Sequence, residues 1–294
     1  MKNIVIKLSL VLLFAAQSAL AVDFHGSLGE GKHTRYIPPI SNPLFNETPF
    51  ITTELRPIIL INEIPDDFVT TGGTIKIIAA EIRVALSDRL GFIASKDGYA
   101  DIDFDAVLPD ETGSANISLG LKYAIFSDPS TGSIFTVGLE YEAPIGTLET
   151  GGIDLQGQGD GFIDTFISGA TTVGRWGIQG NAGYNKALDD EHDSSLLHLS
   201  GHVNYMVNDW FFPTLELNVF TTRAAGERLP FDFEGIDLVN FGSSNANGTV
   251  TTMAVGARFI FNDNMMFGVA YEAPVSNRKD IMDHRFYFDM VWHF

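Results

Sequence analysis

Apolar and polar side chains alternate along most of the chain after residue 50. Within 116–125, isoleucine, leucine and tyrosine alternate with serine, glycine, lysine and alanine, and the same period of two returns in 134–142, 252–261 and 285–294. Such alternation predicts strands with one apolar face. Each segment has about ten residues, which is the length of a tilted strand that crosses a membrane.

The segments between these predicted strands alternate in length. Short turns rich in Asn, Asp, Ser and Gly are followed by long polar connections. Counting the alternating segments gives about twelve strands, with about ten and about fourteen as alternatives. They lie near 51–62, 74–86, 90–96, 115–125, 133–144, 162–172, 176–186, 195–207, 210–222, 249–261, 265–275 and 285–294.

Two fold classes produce this alternation. A soluble β-sandwich buries its apolar faces and rarely places so many large aromatic residues at the ends of its strands. A transmembrane barrel turns apolar residues toward lipid and small or charged residues toward its lumen. We therefore predict an all-β protein, a transmembrane antiparallel up-and-down β-barrel formed by residues 50–294.

Composition narrows the partners of this barrel. The chain has 294 residues, no cysteine and a formal net charge of −19. Such an acidic chain predicts no nucleic-acid partner, and the lack of cysteine excludes disulfides. Most acidic residues lie in the long connections, and this acidic rim either keeps the surface soluble or attracts cations. No motif for a cofactor or for nucleotide-driven transport is present, so we expect neither, and we expect no metal site.

The N-terminus has the features of a secretory signal. Lys2 and Lys7 accompany an apolar stretch at 4–13, and Ala19-Leu20-Ala21 has the small-x-small pattern of a cleavage site. Residues 1–21 are therefore predicted to be a signal peptide. Export and a barrel together predict the outer membrane of a Gram-negative bacterium, with outer-membrane lipid and the barrel-insertion machinery as partners.

Residues 22–49 form a separate region without alternation. Pro38, Pro39 and Pro43 favour an extended chain. The segment is either a disordered periplasmic tail or a plug inside the barrel. Its apolar and aromatic residues favour an ordered plug; they are Tyr36, Ile37, Ile40, Leu44 and Phe45.

The inward phase of the strands places charged residues of both signs in the lumen. Such residues either pair with one another and fill the barrel, or line water and set the selectivity of a pore. Barrels of about twelve strands lie between the small filled barrels and the open porins. The predicted lumen residues are Glu81, Arg83, Lys122, Glu140, Glu142, Glu216, Arg258, Glu272, Arg285 and Asp289.

The longest connection, 223–248, is unusually apolar. Long loops on a rigid scaffold often carry function. We predict that this loop folds over or into the mouth of the barrel and limits passage; the alternative is a mobile loop that packs its aromatic rings on each other. Its apolar residues are Phe231, Phe233, Leu238, Val239 and Phe241.

Two motifs suggest other chemistry. His198 and Ser200 have the His-x-Ser spacing of outer-membrane phospholipase A, but the strand period turns both residues into the lumen, and no third residue is placed to orient the histidine. The run Asp101–Asp105 is similar to a calcium loop, yet Ala106 stands where the loop needs glycine. A strand edge with its aspartates in water is the alternative for this run.

Short motifs carry a family resemblance. The last strand ends with Trp292 and Phe294, like the terminal strand by which outer-membrane proteins are recognised for barrel insertion. The sequence 138–145 recurs in similar form at 268–275, and 86–91 has the pattern of a turn. Together these motifs resemble the transporter-like barrels associated with phenol-degradation meta-pathways. The resemblance implies passage of hydrophobic or aromatic small molecules and transfers no substrate residue to this chain.

The sequence therefore predicts an outer-membrane channel or passive transporter for small, hydrophobic or aromatic molecules, and not an enzyme. Two alternatives stay open. One is a structural or adhesion barrel that transports nothing and exposes acidic loops. The other is a barrel that hydrolyses lipid.

Overall fold

The computed structural model describes residues 26–294, so the predicted signal peptide lies outside the described residues. No helix within them is long and apolar enough to cross a membrane. The elements are a 3-10 turn at Gly31–Arg35 and the strands β1 (Glu54–Ile64), β2 (Gly73–Ala85), β3 (Leu90–Lys96), β4 (Tyr99–Phe104), β5 (Glu111–Ser114), β6 (Ile117–Asp128), β7 (Ser133–Ala143), β8 (Glu149–Thr150), β9 (Ile153–Asp154), β10 (Phe162–Val173), β11 (Trp176–Ala187), β12 (Ser195–Tyr205), β13 (Phe211–Ala224), β14 (Thr249–Asn262), β15 (Met265–Pro274) and β16 (His284–His293).

A ring of antiparallel strands closes into a barrel. Strand β1 pairs with β2 on one side and with the last strand, β16, on the other. Between these, the ring runs through β3, β6, β7 and then β10 to β16 in sequence order. The predicted transmembrane up-and-down barrel of about twelve strands is therefore confirmed. In bacterial barrels the short turns face the periplasm and the long loops face outward, and the two ends are named accordingly here.

The third strand of the ring consists of two parts, β3 and β4, and the fourth consists of β5 and β6. The stretch 97–114 was predicted to be a plain connection, and this prediction is wrong. That stretch contains β4 and β5 as an additional hairpin. Strand β3 pairs with the periplasmic part of β2, and β4 pairs with its extracellular part. We name residues 79–81, 95–98 and 115–116 the wall interruption, because the regular ladder lapses there. The chain turns at Gly98, whose φ of 114° favours glycine.

The outer face of the barrel is an apolar belt. Leu119 and Val255, for example, are 48% and 55% exposed, as the strand period predicts for lipid-facing residues. Three exposed tryptophans lie near the short turns: Trp176, Trp210 and Trp292. Aromatic residues in this position are typical of the boundary between hydrocarbon and headgroups.

An arginine in this belt is expected to destabilise the inserted barrel. Leu119→Arg should lower the free energy of unfolding by about 2–4 kcal/mol if the residue lies near the bilayer midplane. Leu188→Arg is the matched control, because Leu188 is similarly exposed, at 41%, but lies beyond the end of β11 in a loop. Urea titration in lipid vesicles measures both variants. Equal, small effects would show that the outer face of β6 does not contact lipid.

The last strand contributes an aromatic pair at the periplasmic rim. The rings of Trp292 and Phe294 stack with centroids 5.1 Å apart. The backbone N–H of Phe294 donates to the carbonyl of Thr53 at 3.1 Å, which brings the end of the chain against the start of β1. The C-terminal residue therefore lies at the seam where the barrel closes.

Phe294→Asp, or deletion of Phe294, is expected to reduce the amount of barrel in the outer membrane severalfold. The change removes the stacked pair at the closing seam, and an unclosed edge leaves backbone groups unsatisfied in lipid. Phe261→Asp is the control, since Phe261 is also an exposed aromatic near the end of a strand but lies away from the seam. Fractionation and heat-modifiable gel mobility provide the measurement. Normal outer-membrane levels of the Phe294 variants would contradict the prediction.

Candidate functional site in the barrel lumen

The chain before β1 lies inside the barrel. Residues 27–53, here called the inner segment, are mostly buried from residue 36 onward. The N–H of Ser27 donates to the carbonyl of Ile51 at 2.8 Å, so the two ends of the segment lie together near the periplasmic rim. Between them the segment reaches Ile40 and Phe45, which join an apolar cluster at the extracellular end.

Glu216 on β13 holds the middle of the inner segment. Its carboxylate accepts hydrogen bonds from the N–H groups of Ile40, at 2.8 Å, and Ser41, at 2.6 Å. Nδ1 of His202, from the neighbouring strand β12, contacts the same carboxylate at 2.8 Å. A side chain of the wall thus satisfies backbone donors that an extended segment cannot pair within itself.

Two arginines bind carbonyl groups of the proline-rich part. Arg258 on β14 donates to the carbonyls of Pro38, at 3.1 Å, and Pro39, at 2.8 Å. Arg56 on β1 donates to the carbonyl of Ile40 at 3.0 Å. Pro38 and Pro39 keep the chain extended and have no N–H, so at these two residues the wall needs to supply donors only.

A buried ionic cluster crosses the middle of the lumen. The guanidinium of Arg83 contacts three carboxylates, Glu47 at 2.5 Å, Glu54 at 2.8 Å and Glu81 at 2.9 Å. Lys122 on β6, two strands away in the ring, contacts Glu47 at 2.6 Å. Because Glu47 belongs to the inner segment, this cluster ties the segment to the barrel.

The cluster continues through Asp289 on β16. Its carboxylate contacts Arg56 at 2.6 Å and also pairs with Arg258. Both arginines are buried, and both also bind the inner segment. The ionic cluster therefore connects strands from opposite ends of the sequence.

The remaining predicted lumen residues are also buried on the inner face. Glu140 accepts from Ser95 and Ser118, and Glu142 pairs with Lys96 at 2.6 Å. All ten predicted positions point inward, and each has a polar partner in the structure. They form polar and ionic contacts across the lumen and with the inner segment and loops; the further partners are Asn116 for Glu142, Tyr287, Thr252 and Asn218 for Glu272, and Asp237 for Arg285.

Sequence reasoning missed several members of the site. Glu54 and Arg56 start β1, and Pro57 after them obscured the strand period. Glu47 is the one acidic residue between Gly31 and the start of β1 at Glu54, which is a usable signal once the segment is placed inside the barrel. Asp237 lies in a loop, and only the folded loop brings it to Arg285, at 2.7 Å.

The lumen has apolar clusters at both ends. The periplasmic cluster is small and contains Phe50, Ile51 and Ala124. The extracellular cluster is larger and combines residues of the wall, the inner segment and the loops, among them Ile40, Phe45, Leu60, Ile75, Leu148, Leu155, Phe220, Leu238 and Phe241. The lumen is thus apolar at the extracellular end and ionic in the middle.

The loop at 223–248 reaches into the extracellular mouth. Leu238, Val239 and Phe241 are buried in the extracellular cluster. Phe233 is half-buried, and its ring lies 4.5 Å from that of Phe68 and 4.7 Å from that of Phe231, centroid to centroid. Phe231 is also half-buried, and it stacks on Phe233 at the outer edge of this aromatic group.

Glu234 holds the loop in this folded form. It accepts hydrogen bonds from the hydroxyl of Ser194 at 2.6 Å and from the N–H groups of Phe241, at 2.9 Å, and Ser243, at 2.7 Å. Burial raises the pKa of Glu234 above its usual range, although the hydrogen bonds act in the opposite direction. The loop is therefore organised around a buried carboxyl group.

The two motifs with other chemistry have structural surroundings. His198 contacts Asp164 at 2.9 Å, whereas Ser200 donates to Asn218 at 2.7 Å, and no hydrogen bond links His198 to Ser200 within residues 26–294. Asp101 and Asp103 face outward on β4, which agrees with a strand edge. Across the described part of the chain, no group of three or more carboxylate or histidine side chains is arranged to hold a metal ion.

The closed apolar belt and the polar, occupied lumen define an outer-membrane β-barrel of the porin-like class. Within that class the chain belongs to the family described as the putative MetA-pathway of phenol degradation, whose sequence profile matches residues 77–278, more than half of the chain. No curated protein matches the chain.

Solved barrels are similar to the chain at the level of strand arrangement. The NanC porin is 10% identical, with 83% of this chain and 100% of the porin covered and a TM-score of 0.49. The KdgM porin is 10% identical, with 82% and 99% covered and a TM-score of 0.47. The translocator domain of NalP from Neisseria meningitidis is 13% identical, with 87% and 92% covered and a TM-score of 0.43.

Proposed function

We propose that the protein is a passive transporter for small hydrophobic or aromatic molecules in the outer membrane of a Gram-negative bacterium, reached after removal of residues 1–21. The apolar extracellular half of the lumen is the observation that carries this proposal. A water-filled channel has a polar interior, whereas an apolar lining suits an apolar solute. The family's description, phenol degradation, supports the same class of solute.

Two elements regulate access in this proposal. The inner segment is the plug, because it occupies the lumen and is held by Glu216, Arg258 and the ionic cluster. The loop at 223–248 is the cover, because Leu238 and Phe241 bury their side chains in the mouth. Entry of a solute into the lumen then requires displacement of the cover, and passage along the barrel axis requires displacement of plug contacts as well. The solute is not altered chemically.

A barrel without transport is the second candidate. The occupied lumen favours it, since the inner segment and the ionic cluster around Arg83 fill the middle of the barrel. The acidic outer loops then serve as a surface for adhesion or lipid contact. Flux of benzyl alcohol into liposomes containing the purified barrel separates the two, because a structural barrel gives no flux above protein-free liposomes.

Deletion of residues 229–245 is expected to raise conductance in a planar bilayer and to weaken discrimination between benzyl alcohol and benzoate. The deletion removes Phe233 and Phe241, which would select for apolar solutes, while the acidic rim disfavours anions through its field. A same-length Gly-Ser replacement is the matched variant, and it should act in the same direction, because length alone does not fill the mouth.

Correct insertion of both loop variants is checked by heat-modifiable gel mobility. Conductance and solute preference that stay unchanged in inserted variants would remove this loop from the transport pathway. The prediction would then fail even if the barrel transports solutes.

A further inference from the structure

A small cavity adjoins the wall interruption. Its volume is about 50 Å³, and it lies between the loop at 223–248 and the inner faces of β1 and β2. Leu60, Ile75 and Leu238 form part of its apolar inner side. Its lining also includes Ala79 and Ala115, together with Asp97, which belong to the wall interruption. The cavity therefore extends from the extracellular cluster to the weakest part of the barrel wall.

The wall at this point lacks regular strand pairing. On its β3–β4 side, the register of β2 stops at Ile78 opposite Tyr99 and resumes at Ile82 opposite Ala94. A side chain fills part of the gap, since Oδ1 of Asp97 accepts from the N–H of Ala80 at 2.8 Å. The N–H of Ala115 also donates to the carbonyl of Gly98 at 2.9 Å, while β2 stays paired with β1 on its other side. Because isolated contacts replace the ladder between β2 and the β3–β4 turn, this part of the wall is easier to open than the continuous strand pairs.

The interruption lies at the extracellular edge of the apolar belt. Ile78 is 68% exposed and Ile117 38% exposed on the outer face beside it. The first charged residues on the outer face lie just beyond Ile78 toward the extracellular end, where Lys76 pairs with Asp103 at 3.9 Å. An opening here would face the outer leaflet near the boundary between its hydrocarbon and headgroups.

The cavity suits an uncharged ligand. Its charged neighbours are already engaged, Lys96 with Glu142 and Asp237 with Arg285. A cavity of about 150 Å³ holds benzene, so a solute with one aromatic ring needs the loop or the wall to move aside. Below the cavity an apolar solute meets the ionic cluster around Arg83, and transfer past buried charges is unfavourable.

We infer that the wall interruption is a lateral exit, through which a small uncharged apolar solute passes from the cavity into the outer leaflet. This inference rests on the proposed function, because the solute must first enter the mouth. Through this exit the solute does not pass the ionic cluster, and it enters an environment as apolar as the cavity.

The test uses 1-N-phenylnaphthylamine, a neutral apolar probe whose fluorescence rises in lipid, added to intact cells that produce the barrel. The double variant Ala79→Phe with Ala115→Phe places two rings in the part of the cavity that adjoins the wall interruption. It should reduce the rate of probe entry to that of cells without the protein. Ala182→Phe is the control, since it adds a ring to the wall away from the interruption, and it should leave the rate unchanged.

A second pair of variants keeps the test valid if the double variant fails to insert. Asp97→Ala removes the acceptor that closes the gap and should speed probe entry, whereas Asp97→Asn retains an acceptor and should match the wild type. If all inserted variants show the same rate of probe entry as the wild type, the lateral exit is wrong, but the proposed function still stands. If the wild type neither delivers the probe nor passes benzyl alcohol in liposomes, the proposed function falls, and the lateral exit falls with it.

Discussion

A barrel that lacks residues 34–49 is expected to carry a steady ionic current where the intact protein stays closed. The deletion removes the part of the inner segment that contacts Glu216, Arg258 and Arg83, and it leaves every strand of the barrel in place. The lumen that remains is lined by charged residues from many strands, which water can solvate. The expected change is the largest of all the conductance effects predicted for this protein.

Single-channel recording in planar bilayers measures this change, and a synthetic peptide provides the control. A peptide with the sequence of residues 34–49, added on the periplasmic side, should restore the closed state, whereas a peptide of scrambled sequence should not. A silent deletion variant with normal heat-modifiable mobility would show that the inner segment does not close the lumen.

Arg83→Met is expected to lower the free energy of unfolding by about 3–5 kcal/mol, as when one partner of a buried ion pair is removed. The substitution leaves the carboxylates of Glu47, Glu54 and Glu81 buried with too little positive charge. Addition of Glu47→Gln should recover part of the loss, because it removes one of the uncompensated carboxylates.

Lys76→Met is the matched control for this prediction. Lys76 lies on the same strand and also forms an ion pair, but Lys76 and Asp103 are 52% and 62% exposed and their charged atoms are 3.9 Å apart. Exposed pairs contribute about 0–1 kcal/mol, so the control should be nearly neutral. Urea titration measures the free energy of unfolding of both variants. Equal losses would mean that the contribution of Arg83 to stability does not come from its contacts with the buried carboxylates.

The strands of this barrel were largely predictable, because each must satisfy a simple local rule. Lipid on one side and lumen on the other impose a period of two, and the positions of β6 or β14 follow directly from that period. The hairpin of β4 and β5 was missed because it continues the third and fourth strands of the ring beyond a break, and Asp101 and Asp103 made the stretch appear to be a loop. A local pattern does not reveal where a ladder lapses.

The interior was predictable in orientation but not in pairing. Strand phase placed Arg83 and Lys122 inside, yet their shared partner, Glu47, lies in a segment without any period. Its position depends on contacts with β2 and β6 that are distant in sequence. In the same way, Asp237 meets Arg285 only when the loop at 223–248 folds inward. Sequence alone therefore left paired charges and a water-lined pore equally open.

The hydrogen bond between Ser27 and Ile51 has a topological consequence. The inner segment enters and leaves the barrel through the same periplasmic opening, as a loop whose farthest part is near Ile40 and Phe45. Residues 27–53 are thus not threaded from one opening to the other. The loop can be inserted after the last strand has closed the ring, and it can be withdrawn toward the periplasm while β1 keeps it tethered. A pull applied at Ser27 would act directly on this loop without opening a single strand pair.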